Sequence, residues 1–262
     1  MSRLMLIFSC LFFIISCNDT GNTGIAPIKP SMKCIGEIKL SYYTNDTLVG
    51  HQTCSFTYDD GRMITIIQQG DLSSTVSTLS FNTQHNQVQI VDYTVLNGEI
   101  NTDGYISFLE VQDGIIKYQY DSIGYLRSIK AESYQGDDTY ECYYKWTNGN
   151  LAQATSDGDE WQLKYNDVLV PNNINIDLSR FVLMDPESDI ELAFMPNFDT
   201  LAISCLSLFG EINKNYVTEA TSEYSHVYYT WAYDKDGYPI KCISDLSGDA
   251  DEFRVEYEFS YK

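Results

Sequence analysis

The sequence predicts a mainly β protein: a curved, half-barrel-like antiparallel sheet of hairpins with one covering helix near residues 198–212. Three observations predict it. Aromatic and β-branched residues alternate with polar ones in short runs, the period of a half-buried strand. Turns rich in Asp, Asn and Gly separate those runs. One segment places its apolar residues at helical spacing instead.

The clearest unit is 116–129. Ile116, Tyr118 and Tyr120 alternate with Lys117 and Gln119, and the chain returns through Leu126 and Ile129. Between them, Asp121 can hydrogen-bond its own turn and Gly124 can take a positive φ. Upstream, 35–43 reads as a first strand with Ile38, Leu40 and Tyr42 on one face. Cys54, Phe56 and Tyr58 follow, then Asp59-Asp60-Gly61-Arg62 and a return through 63–68. Residues 78–81 and 88–96 form a further pair. Asn97-Gly98 reads as the hairpin signal after it, 105–111 returns apolar, and Asp113-Gly114 leads into the central unit.

Beyond it, Tyr140, Cys142, Tyr144 and Trp146 alternate with Glu141, Tyr143 and Lys145, and Thr147-Asn148-Gly149-Asn150 turns into Trp161, Leu163 and Tyr165. The alternation then stops. Pro171, Pro186 and Pro196 cannot serve a central ladder, so 168–197 reads as an irregular excursion with an edge strand or short helix around 178–183. Phe198, Leu201, Ala202, Cys205, Leu208, Phe209 and Ile212 carry the helical spacing. The β pattern resumes at Val227, turns at Asp234-Lys235-Asp236-Gly237, and ends in Phe253, Val255, Tyr257, Phe259 and Tyr261.

The N-terminus carries a different signal. Residues 4–15 are an apolar run preceded by Arg3, too short for a spanning helix and suited to the core of a signal peptide. The run ends in Ile14-Ile15-Ser16-Cys17, which resembles the lipobox of bacterial lipoproteins. The resemblance implies cleavage before Cys17 and lipid attachment to its thiol, which anchors the chain without spanning the bilayer. The expected organisation is a signal peptide at 1–16, a flexible Gly-, Asn- and Pro-rich tether at 17–32, and one β-rich domain at 33–262.

With 16 Lys+Arg against 37 Asp+Glu, the formal charge is −21. Such a surface repels phosphate backbones and anionic headgroups, so nucleic-acid partners and basic-patch membrane attachment are excluded. After Cys10 and Cys17, five cysteines remain: Cys34, Cys54, Cys142, Cys205 and Cys242. Without a CxxC pair they make no zinc ribbon, and their pairing is left open.

Four segments share alternating aromatics, a polar turn with Gly and an apolar return: 56–64, 118–129, 144–151 and 231–243. Their common text, Tyr-Asp-x-x-Gly, stands at Tyr120-Asp121 and Tyr233-Asp234 and is similar to the YD repeats of large bacterial secreted proteins. The whole order resembles a family of uncharacterised Bacteroides-type lipoproteins, a domain of unknown function, over most of 34–262. It runs from the lipobox and hairpins through Asn173-Ile174-Asn175-Ile176-Asp177-Leu178 and a segment ending near Gly210 to Lys214-Asn215-Tyr216-Val217 and a last hairpin. The family's usual Leu-Pro stands here as Tyr216-Val217. The resemblance implies a single β-rich domain at the cell envelope and supplies no activity.

No catalytic signature accompanies these patterns. His51, His85 and His226 lack partners at ligand spacing, and there is no nucleophile elbow or phosphate loop. Asp234, Asp236 and the acids of 245–252 read as turns rather than a calcium loop. Asp157, Asp159 and Glu160 offer carboxylates for glycoside hydrolysis, but sequence adjacency does not set the separation that chemistry needs. No metal, cofactor or catalytic residue is therefore expected, and ligand-binding residues stay unknown. The leading expectation is a lipid-anchored envelope protein, facing the outer membrane or periplasm, with a non-enzymatic binding or scaffolding role. The alternative is a glycan-binding accessory lipoprotein that uses the solvent-facing rings of Tyr43, Tyr143 and Tyr228.

Overall fold

A computed structural model describes residues 33–59, 62–71, 74–82, 85–91, 95–136, 139–156, 159–183, 208–247 and 253–262. Sixteen antiparallel strands among them follow one another around a closed barrel. They are β1 (Ile35–Thr44), β2 (Thr47–Asp59), β3 (Arg62–Gly70), β4 (Ser74–Asn82), β5 (Gln87–Val91), β6 (Val95–Ile100), β7 (Ile106–Val111) and β8 (Gly114–Tyr120). The second half is β9 (Leu126–Ser133), β10 (Thr139–Thr147), β11 (Asn150–Ser156), β12 (Asp159–Leu169), β13 (Asn215–Thr221), β14 (His226–Tyr233), β15 (Pro239–Ser247) and β16 (Phe253–Tyr261).

The half-barrel expectation is corrected by the seam. Leu40 of β1 opposes Gln52 of β2 on one side and Tyr257 of β16 on the other. Both strands at the would-be edges are long and well alternated, so pairing them satisfies two rows of backbone groups that an open sheet would leave unpaired.

The wall is apolar inside and polar outside. On β16, Val255, Tyr257 and Phe259 are buried, while Glu258 and Ser260 face solvent. On β5, Val88 and Ile90 point in and Gln87 and Gln89 point out. A barrel that spans a bilayer shows the reverse, with a lipid-facing apolar band and a polar lumen. A round cylinder of sixteen strands would also enclose a water-filled channel. Here the apolar inward side chains of the described strands join one contiguous hydrophobic cluster, so the lumen is filled.

Part of the filling comes from the chain between β12 and β13. The helix α1 (Leu178–Leu183) is buried along its whole length. Phe181 meets the Tyr257 ring edge-on at 6.2 Å, and Phe209 lies 5.7 Å from the Tyr118 ring. This corrects the expected helix at 198–212. Residues 198–207 lie outside the described set, and Leu208–Ile212 is not α-helical. Gly210 takes φ +81° and bridges Tyr125. The apolar spacing there reflects Leu208 and Phe209 entering the core.

All these contacts fall at one end of the barrel. Glu211 N donates to Gly124 O at 3.0 Å, Lys214 N donates to Gly149 O at 3.0 Å, and Lys33 bridges Ile174. Three hairpins at this end share a device. Oδ1 of Asn101, Asp121 and Asp234 each accepts the backbone N–H groups two and four residues on, at 2.9–3.1 Å. Gly104, Gly124 and Gly237 supply the positive φ, and a tyrosine follows each. The repeat read from Tyr120-Asp121 and Tyr233-Asp234 is therefore one turn geometry, and Asn101 extends it.

Aromatic donors secure the same rim. Tyr58, Tyr120, Trp146, Trp231 and Tyr261, on even-numbered strands, donate to the backbone carbonyls of Ile35, Ile106, Leu126, Val217 and Pro239 on the strands before them, at 2.6–2.8 Å. One more expectation is corrected. Asn97-Gly98 does not turn. It sits inside β6, paired with Gln89 and Val88 on one side and Glu110 and Leu109 on the other.

Candidate functional site

Gly98 underlies a groove in the outer wall. It falls in the inward row with Val88 and Leu109, and a Cβ there would meet the Phe108 carbonyl oxygen at 2.9 Å and a Val88 methyl at 3.0 Å. Lacking that carbon, β6 lies close to its neighbours, the usual reason for glycine inside a strand. The outer surface above it is concave, with a cavity of about 420 Å³ across β4 to β7.

Beside Phe81, Val88 and Gly98, register sets the rest of its lining in two outward rows. Ser80, Gln89, Asn97 and Glu110 stand side by side on successive strands. Asn82, Gln87, Glu99 and Phe108 form the next row. Gln89 Nε2 donates to Asn97 Oδ1 at 3.0 Å, and the Tyr134 hydroxyl donates to Glu110 at 3.1 Å. Phe108 is half-buried and brings the one outward ring to the groove. None of the lining side chains is cationic. Lys117, the next residue in the Phe108 row, donates to Glu132 at 2.7 Å.

The residues singled out in the sequence lie elsewhere. Tyr43 and Tyr228 share one outward row, separated by Arg254 of β16 and Asp245 of β15. The Arg254 guanidinium stacks over the Tyr43 ring at 4.5 Å. Tyr228 is exposed beside His226, and exposed Tyr143 of β10 donates to Glu141. The three do not form one patch. Asp157 lies outside the described residues, and Asp159 and Glu160 are exposed at the start of β12.

Among the described residues, no group of three His, Cys, Asp or Glu side chains is placed to hold a metal. Among the described residues, Cys34, Cys54, Cys142 and Cys242 form no disulfide and the last three are buried, while Cys17 and Cys205 lie outside the described residues. Burial pushes the Cys54 thiol up to about 12, which makes it a small hydrophobe rather than a nucleophile. No helix among the described residues is long and apolar enough to cross a membrane. The groove is not legible in the sequence because its residues span four strands and Asn97-Gly98 reads as a turn.

Fold and groove together define a class: a closed, up-and-down barrel with a filled apolar lumen and a polar outer groove. No protein-family model matches the chain, and no curated protein matches it. Solved structures share the fold. A porin-like protein from Bacteroides uniformis matches with a TM-score of 0.65 at 16% identity, covering 87% of this chain and 96% of that one. A porin-like protein from Bacteroides vulgatus matches with a TM-score of 0.51 at 14% identity, covering 88% and 99%.

Proposed function

We propose that this protein is a lipid-anchored, non-enzymatic binding or scaffolding protein of the bacterial cell envelope. The observation that carries the proposal is the inverted wall, with charged and amide side chains outside and an apolar core within. A barrel of this kind is at home in water and offers no band to the hydrocarbon of a bilayer. Attachment then falls to the N-terminus, where the apolar run 4–15 ends in Ile14-Ile15-Ser16-Cys17. Lipid on Cys17 and a tether through residue 32 would hold the barrel beside the membrane. The porin-like description and Bacteroides origin of the structural neighbours support an envelope setting. The filled lumen speaks against a pore in this chain.

The experiment is metabolic labelling of the full chain, expressed in a bacterial host, with an alkyne fatty acid. The native chain incorporates label and partitions with membranes. The Cys17→Ala chain takes up none and moves to the soluble fraction. Label retained in that variant, or single-channel conductance from the purified protein in a planar bilayer, overturns the proposal.

A further inference from the structure

We propose that the outer groove across β4 to β7 binds a neutral oligosaccharide chain. The proposal rests on the binding role proposed above and names the ligand class and the residues that take it. The cavity's size, about 420 Å³, falls within the range of small-ligand sites. Its chemistry narrows the choice. The amides of Gln87, Gln89 and Asn97 each offer both donors and acceptors, the combination that matches a hydroxyl, which also does both. Glu99 and Glu110 add acceptors for further hydroxyls, and as carboxylates they repel phosphate, sulfate and uronate groups. No lining cation offsets that repulsion. Phe108 supplies a flat apolar face against which the C–H side of a sugar ring can rest, removing apolar surface from water on both partners.

Shape agrees with chemistry. The two rows run across the strands, so a ligand lying along them meets side chains from four successive strands. The groove is open to solvent rather than enclosed, which suits a segment of a longer chain over a capped monosaccharide. The floor is fixed by Gly98, whose missing side chain lets the wall cave inward. The described lining therefore belongs to the sheet itself.

The test is affinity electrophoresis of the purified full-length protein in native gels containing soluble starch, xylan or yeast mannan. A polygalacturonate gel and a titration with oligolysine run alongside. Retardation is expected in at least one neutral gel and none in polygalacturonate. Phe108→Ala weakens the retardation at least tenfold and Gln89→Ala several-fold, with melting temperature and near-ultraviolet dichroism unchanged. Tyr143→Ala, on the distant β10, leaves it as it was. Free migration in all three neutral gels overturns the proposal. So does retardation indifferent to both groove variants, or binding of oligolysine alone. Acyl labelling at Cys17 reads the envelope proposal separately, so either can fail without the other.

Discussion

Arg180 Nε lies 3.2 Å from Asp177 Oδ2 in the filled lumen, with the two side chains 3% and 2% exposed. Further hydrogen bonds surround the pair. Asp177 Oδ1 accepts the Arg180 backbone N–H, and Oδ2 accepts the backbone N–H and an Nδ2–H of Asn213. Arg180 donates to the carbonyls of Phe209 and Glu211 and lies 5.1 Å from the Trp146 ring. Asn213 Oδ1 in turn accepts Leu151 N–H of the wall at 2.8 Å. One ion pair thus joins α1, the chain at 208–213 and the barrel.

Breaking that pair from one side strands a charge in an apolar interior. Arg180→Ala or Asp177→Ala should each cost about 3–5 kcal/mol, the usual penalty for a buried charge left alone. Replacing both, as Arg180→Met with Asp177→Leu, should recover part of the loss. Urea unfolding of the three variants checks this. Equal losses from the single and double variants would show that the ion pair does not govern the insertion.

The sequence carries the hairpins plainly and the closure hardly at all. Alternation at 116–120 and 253–261 became β8 and β16, and Asp-x-x-Gly marked turns that fold as read. Closure depends on β1 meeting β16, a pairing of residues more than two hundred positions apart that no local pattern encodes. Asn101 makes the same turn as Asp121, yet it was hidden because the text repeats with Asn in place of Asp. Gly98 misled for a similar reason, since Asn-Gly favours a tight turn and only tertiary crowding shows why the glycine sits inside a strand. The groove followed that error out of sight. Its lining side chains are unremarkable in sequence and become a site only when four strands align.

The rim donors should contribute individually and additively. Trp231→Phe keeps the ring but removes the Nε1–H that reaches Val217 O at 2.6 Å. Trp146→Phe does the same to Leu126 O at 2.8 Å. Each should cost about 1 kcal/mol, the net worth of one such bond. The bonded pairs sit on different strands and share no partner, so the double variant should lose the sum. Denaturant midpoints measure it, and unchanged midpoints would mean water replaces the ring donors at no cost.

Two glycines with nearly equal φ separate backbone strain from crowding. Gly136 has φ +82° and nothing near its missing Cβ, while Gly210 has φ +81° and would place that carbon 2.2 Å from the Gly124 carbonyl oxygen. Gly136→Ala should cost about 1–2 kcal/mol, the left-handed penalty alone. Gly210→Ala should cost clearly more, because the bridge to Tyr125 and the Glu211 N–H bond to Gly124 must shift as well. Thermal melts of the two variants compare the terms directly, and equal melting temperatures would show that 208–213 is free to move.

Alkaline pH should unfold the barrel well before its backbone is at risk. Burial pushes Cys54 up to about 12, raises Cys242 and Tyr144 well above their ordinary ranges, and, with Glu211 beside it, moves Tyr105 up to about 12. In the unfolded chain the thiols ionise near pH 9 and the phenols near pH 10, so above those values the unfolded state binds fewer protons than the native one. By linkage, stability then falls as pH rises. These groups contribute fully below about pH 9, and their contribution is lost progressively as pH climbs through 12. Melting temperature should therefore stay level across the neutral range and fall steadily from pH 9 upward. Cys54→Ala should make that fall shallower, since one of the protons held only by the native state is gone. At pH 8 a thiol reagent should spare Cys54, Cys142 and Cys242 until denaturant is added, and rapid native labelling of Cys242 would show that the core opens far more readily than its packing implies.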